Sequence, residues 1–228
     1  MPNYFFNKKL PSCFVDKALI SRLEKYLLII TKQYYSEGFE EDKLRCRWII
    51  SDKFGDEEFT SVENFHRDKF SNDTIRMKLA VSYDYRELDI IICFSKDVYF
   101  SKVEIKAEGN SAKSTANQIA REIDEILSDN RTIHQYFYGK YAVAAFVIIT
   151  INNIVSTVDS GFELDIYSDA AELVIFTYVV IYFLIRLVSP YSTFDTLKEN
   201  TKNNILSWVI KTFGTILLGY WIINIMIQ

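Results

Sequence analysis

Apolar and polar residues alternate with period two over several short runs in the first 135 positions, and two runs of helical period flank them. Thr74 to Ser82 sets Ile75, Met77, Leu79 and Val81 on one face. Leu88, Ile90, Ile92 and Phe94 repeat the pattern, and Val98 to Ala107 continues it with Val103, Ile105 and Ala107. Leu44 to Ser51 opposes Leu44, Cys46, Trp48 and Ile50 to Arg45 and Arg47. Such alternation predicts antiparallel strands buried on one face. Glu58 to Val62 is a short strand candidate, with Ser61 to Phe65 turning helical. The polar runs Asp84-Tyr85-Arg86-Glu87 and Ser95-Lys96-Asp97 predict hairpin turns. Val15 to Tyr35 spaces Leu19, Leu23, Tyr26, Leu27, Ile30 and Tyr34 as a helix, with Asp16 at its N-cap. Ser111 to Asp129 forms a second helix along Ala116, Ile119, Ala120, Ile123, Ile126 and Leu127. The expected fold is an α+β domain over residues 1–135. Its order is helix, four- or five-stranded antiparallel meander, helix, with both helices on one face of the sheet.

From residue 136 the pattern changes. Three apolar stretches, near 139–158, 170–188 and 205–227, predict a transmembrane region (136–228) of three helical spans. The connection after the first stretch carries Asp159, Glu163, Asp165 and Asp169 and no Lys or Arg; the next carries Lys198 and Lys202. That asymmetry predicts an inner-membrane protein with its N-terminus cytoplasmic and its C-terminus outside. Asn152, Asn153, Glu172 and Asn224 would lie at similar depth. They read either as a polar track that wets when subunits assemble or as hydrogen-bonding groups between helices.

Charge sharpens the division. The chain of 228 residues carries Lys+Arg 26 and Asp+Glu 30, a net charge of −4. Up to Tyr138 there are 21 basic and 23 acidic residues, which leaves 5 and 7 beyond (26 − 21 and 30 − 23). The balance gives no global pull toward nucleic acid. Cys13, Cys46 and Cys93 are odd in number and form no CxxC, so a disulfide framework and a zinc knuckle are not indicated; buried small side chains are.

Candidate chemistry is sparse. Gly109-Asn110-Ser111-Ala112-Lys113-Ser114-Thr115 resembles the end of a phosphate loop, but Ala107 and Ala112 stand where that loop requires glycine. It reads as a helix start capped by Ser111 or Ser114. His66 and His134 have no ligand or catalytic partner at a recognisable spacing. No enzyme activity, cofactor or metal is expected. The outward strand positions bear Arg45, Arg47, Arg76, Lys78, Lys102 and Lys106, against Asp89, Glu104 and Glu108. They read as a docking face for nucleic acid, a phosphorylated ligand or anionic lipid headgroups, or as the ordinary solvated side of the sheet.

The layout of a small α+β domain followed by two or three spans resembles that of small bacterial antiphage membrane effectors, such as those attached to retron or cyclic-nucleotide systems. The resemblance covers the whole chain as architecture. It implies a cytoplasmic domain that senses or is held by a partner, and spans that disrupt the inner membrane on release. The expected function is therefore an effector whose sensor domain controls helices that oligomerise and permeabilise the membrane. The alternative is a membrane-anchored adaptor or accessory subunit that recruits a cytoplasmic partner. The partners implied are the lipid bilayer, further copies of the chain, and a cytoplasmic protein or nucleic acid.

Overall fold

In the computed structural model, residues 3–35, 39–67, 69–84, 87–132 and 190–197 are described, together with isolated positions (134, 147, 199, 201, 202, 204, 205, 208, 212 and 215). The chain opens with strand β1 (Asn3–Lys9) and a two-residue strand β2 (Phe14–Val15). Helix α1 follows over Lys17–Tyr34. Asp16 caps it by accepting a 2.7 Å hydrogen bond from the Leu19 N–H, which satisfies one orphan donor of the first turn. Then come β3 (Leu44–Asp52), β4 (Gly55–Phe59), β5 (Thr74–Tyr83), β6 (Leu88–Ser95), β7 (Lys102–Glu108) and helix α2 (Ala112–Ser128). A last two-residue strand, β8, is Thr193–Phe194.

The main sheet has six strands in the order β1-β7-β6-β5-β3-β4, every pair antiparallel. This differs from the expected meander in two ways. Strand β1, at an end of the chain with no clean alternation, adds itself to the far edge beside β7. Strand β4 hairpins outward from β3, so β5 must cross back to pair on β3's other side. The strand candidate at 58–62 lies earlier, at Gly55–Phe59, because the hairpin closes tightly at Asp52 and Gly55.

Both helices cover one face. Leu19, Leu23 and Leu27 of α1 and Ala116, Ile119, Ile123 and Leu127 of α2 are buried against Met77, Leu79, Val81, Ile90, Ile92, Val103 and Ile105. Each fully buried Leu or Ile contributes about 1.5–3 kcal/mol of transfer free energy. Ile75 departs from its alternation. The β3–β5 register shifts between Ser51 and Asp52, and the resulting bulge leaves Ile75 42% exposed while Thr74 is buried.

One buried carboxylate ties this layer together. Glu24, on the inner side of α1, accepts from the Trp48 indole Nε1–H (2.7 Å), the Ser61 hydroxyl (2.8 Å) and the Val62 N–H (2.7 Å). It joins α1 to β3 and to the chain that leaves β4.

The compact unit comprises the residues up to Thr132 and also Tyr191–Glu199. Strand β8 pairs in parallel with β2, through Thr193–Cys13 (3.0 Å) and Asp195–Val15 (2.9 Å) N–H···O=C bonds. The Tyr191 hydroxyl donates to the Leu10 carbonyl (2.7 Å), and Ser12 Oγ donates to the Tyr191 carbonyl. Phe194 is fully buried, edge-on to Phe70. A segment remote in sequence thus completes the core.

The expected transmembrane architecture is corrected. Among the described residues no helix is long and apolar enough to cross a membrane. Each of the two described α-helices carries five charged side chains, Lys17, Arg22, Glu24, Lys25 and Lys32 on α1 and Lys113, Arg121, Glu122, Asp124 and Glu125 on α2, too many for a helix that crosses a bilayer. What the structure establishes is a sheet-rich α+β domain with two α-helices among the described residues. The spans expected near 139–158, 170–188 and 205–227 lie outside the described residues, apart from isolated positions such as Val147 and Trp208. The inner-membrane location, its orientation, and the reading of the chain as a membrane protein and pore rested on those spans and are corrected with them.

Two outcomes follow. Glu24→Ala leaves two buried donors and the partly buried Ser61 hydroxyl without this acceptor and should lower stability by about 3 kcal/mol, whereas Trp48→Phe at the same cluster removes one donor and leaves the other two satisfied. Urea denaturation of the two variants, followed by circular dichroism, should rank them in that order. Burial also raises the Cys13 thiol and the Tyr191 phenol to about 12. Groups whose folded pKa is raised give stability that is whole below the unfolded value and is lost as pH climbs. Stability should therefore hold up to about pH 9 and fall toward pH 12 in urea titrations at stepped pH.

Candidate docking face of the sheet

The face opposite the helices presents the alternate residues of each strand, and the register arranges them in rows. One row reads Lys9, Lys102, Cys93, Lys78, Ile49 and Glu58 across the six strands. The next holds Ser95, Arg76, Ser51 and Asp56. Neighbouring strands lie about 4.8 Å apart, so Lys78 and Lys102 are about 10 Å from one another with Cys93 between them. Arg76 stands beside this pair, its guanidinium 4.7 Å from the Phe100 ring centre and its Nε buried without a hydrogen-bond partner.

The structure therefore brings three of the six expected docking residues together: Arg76, Lys78 and Lys102. It adds Lys9, which the unrecognised strand β1 carries into the same row. Partial burial lowers the Lys9 pKa, and its ammonium lies 4.9 Å from the Tyr191 ring centre. Lys102 is anchored by Glu104 at 2.6 Å.

The other three are set apart. Lys106 lies in a different row, between Phe5 and Asp89, with its ammonium 6.0 Å from the Phe5 ring centre. Arg45 and Arg47 stand on β3 toward the sheet edge, and Arg47 pairs with Glu58 at 3.6 Å. Phe5 is 54% and Phe100 47% exposed. Neither aromatic was expected on this face. Phe5 belongs to a strand the pattern does not reveal, and Phe100 belongs to the turn before β7.

Electrostatics at Cys93 report the character of the cluster. Burial raises its pKa; Arg76, Lys102 and Lys78, in that order, pull it back down, and Glu104 adds a smaller rise. Burial wins, so the thiol is held protonated rather than activated as a nucleophile. Burial likewise raises Cys46 to about 12. The three cysteines are free.

The remaining candidates do not converge on a site. Gly109 takes φ +109°, a conformation that strains any side chain, and turns β7 into α2. Ser111 occupies the N-cap without a side-chain bond, and Ser114 Oγ donates back to the Ser111 carbonyl at 2.8 Å, so the expected cap is not made. His66 is exposed. Among the described residues no group of three or more His, Cys, Asp or Glu could hold a metal ion. Asn152, Asn153, Glu172 and Asn224, the expected polar track, lie outside the described residues.

No protein-family model, curated protein or solved structure matches the chain. The geometry is therefore the ground for a functional reading.

The three cations each favour the Cys93 thiolate. Lys78→Gln with Lys102→Gln should raise the Cys93 pKa further and slow its alkylation at pH 8 to 9. The rate against pH, read by mass spectrometry on that cysteine, checks the sign.

Proposed function

We propose that this domain is a docking module, without catalytic chemistry of its own, that recruits a single-stranded nucleic acid to the open face of its sheet. The reading keeps the adaptor role and drops the anchoring. The observation that supports it is the joint placement of Lys9, Lys102, Lys78 and Arg76 in adjoining rows, with one carboxylate, Glu104, paired among them. Lys9, Lys78 and Arg76 pair with no carboxylate among the described residues, and such cations on a rigid sheet attract a polyanion and release its counterions. Phe100 beside Arg76 and Phe5 beside Lys106 offer exposed rings on which bases stack, worth about 1–3 kcal/mol each. The sheet, held from behind by two helices, presents these groups at fixed spacing, so little ordering is required on binding.

Fluorescence anisotropy of a labelled oligothymidylate, titrated with the full chain over a range of salt, tests this. Binding should saturate and weaken with salt. Arg76→Gln, Lys78→Gln and Lys102→Gln together should weaken it about tenfold or more and reduce the log–log salt slope by about 2, at roughly 0.7 per phosphate contact. Equal affinity and slope in the triple variant would return these cations to a solvating role.

A further inference from the structure

The edge of β3 is covered along only part of its length. Strand β4 pairs with Trp48–Asp52, from Trp48↔Phe59 to Asp52↔Gly55. Residues Leu44–Arg47 pair on their inner side with Tyr83–Ala80 of β5, and among the described residues no strand lies on their outer side. The chain beyond Phe59 runs in the direction needed to continue β4 along this stretch. It does not do so because Ser61 and Val62 turn inward to donate to Glu24 on α1.

The hydrogen-bonding polarity of the bare edge follows from the register. The Leu44 N–H bonds the Glu41 carbonyl, so Leu44 directs its backbone groups away from β5. Residues two apart in a strand direct them to the same side. The Cys46 N–H and C=O and the Leu44 C=O therefore point outward. They open into a groove of about 450 Å³ lined by Leu28 and Lys32 of α1, by Leu44 and Cys46, and by Glu58 and Thr60. Four residues of strand span about 13 Å, room for an extended segment of similar length.

Sheets usually defend such edges. The outer edges here are defended by charge: Asp56, Glu57 and Glu58 on β4, Lys8 and Lys9 on β1. At Leu44–Arg47 the inward side chains are Leu44 and Cys46, and the outward ones are two arginines. Among the described residues Arg45 has no carboxylate within ion-pair distance, while Arg47 is held by Glu58 and Lys32 lies 3.9 Å from Glu41.

From this we infer that the Leu44–Arg47 edge is a strand-addition site for an extended acidic segment of a partner protein. The inference goes beyond the nucleic-acid reading and does not rest on it. The incoming residue opposite Cys46 exchanges both backbone hydrogen bonds with it and directs its side chain toward α1, where a small apolar group fits beside Leu28 and Leu44. Its two neighbours direct theirs to the other face, beside Arg45 and Arg47, where carboxylates are favoured. The recognised pattern is acidic–apolar–acidic in an extended conformation, with affinity from the main chain and selectivity from the alternating side chains.

The test uses the full chain and a fluorescein-labelled peptide Thr-Ser-Glu-Val-Glu-Ser-Thr, with two relatives: one N-methylated at the valine amide, one with lysines in place of both glutamates. The parent peptide should bind saturably, and the other two should bind at least about tenfold more weakly, one hydrogen bond or charge contact each being worth that much. Arg45→Glu, on the exposed side of the strand, should invert the preference between the acidic and basic peptides. The Cys46 amide should exchange quickly with deuterium in the free protein and slowly in the complex. Lys78→Gln should leave peptide binding unchanged, which separates this site from the sheet face. Equal binding of the N-methylated peptide, equal binding of the lysine peptide, or no saturation up to about 1 mM would overturn the inference.

Discussion

The domain depends on one buried carboxylate. Glu24 gathers an indole N–H from β3, a hydroxyl and a backbone N–H from the chain after β4, and holds all three against α1. An acidic side chain in such a place is tolerable because each of its oxygens is hydrogen-bonded; emptied of donors it would be a severe cost, and emptied of the carboxylate the donors would be. The contact also fixes direction. It sets where α1 sits over the sheet, and it ends the pairing of β4 with β3 at Phe59, which decides the length of β4 and the extent of the sheet edge.

The two faces of the sheet divide the labour. Behind, interlocking Leu, Ile and Val side chains give the rigidity. In front, the same strands carry cations whose spacing is set by the pleat and by the interval between strands. Cys93 shows how close the two requirements come. It belongs to the outward set yet is buried, and three flanking cations pull its pKa down without overcoming desolvation. The front face thus carries its cations around a thiol whose pKa burial still holds up.

Much of this is legible in the sequence, and what is not has identifiable causes. The alternation of Met77, Leu79 and Val81, of Ile90 and Ile92, and of Val103 and Ile105 locates three strands and says which side chains turn outward. The position of Asp16 marks the start of α1. Strand β1 escapes because Asn3-Tyr4-Phe5-Phe6-Asn7-Lys8-Lys9 does not alternate cleanly; its pairing with β7 is a tertiary choice that local pattern does not encode. Lys9 and Phe5 are lost from the face for the same reason. Ile75 misleads because a bulge breaks the period. Glu24 left a trace that could have been followed, since it shares the inner side of α1 with Ile20, Leu27 and Thr31. The transmembrane expectation came from three apolar stretches of spanning length and the charges that flank them; among the described residues no helix is long and apolar enough to cross a membrane.

Strand β8 has a consequence in time rather than in space. The parallel pairing of Thr193–Phe194 with Phe14–Val15 joins residues 179 positions apart (193 − 14), and the Phe194 ring packs edge-on to Phe70. On a ribosome adding about 5–20 residues per second, the 67 residues from Thr132 to Glu199 (199 − 132) take roughly 3–13 s to appear. Throughout that interval the residues of both helices and of all six main-sheet strands have been synthesised, but the partners of β2 and Phe70 have not. Its final closure is therefore a late, long-range event, and its folding is timed by the synthesis of residues that lie outside it.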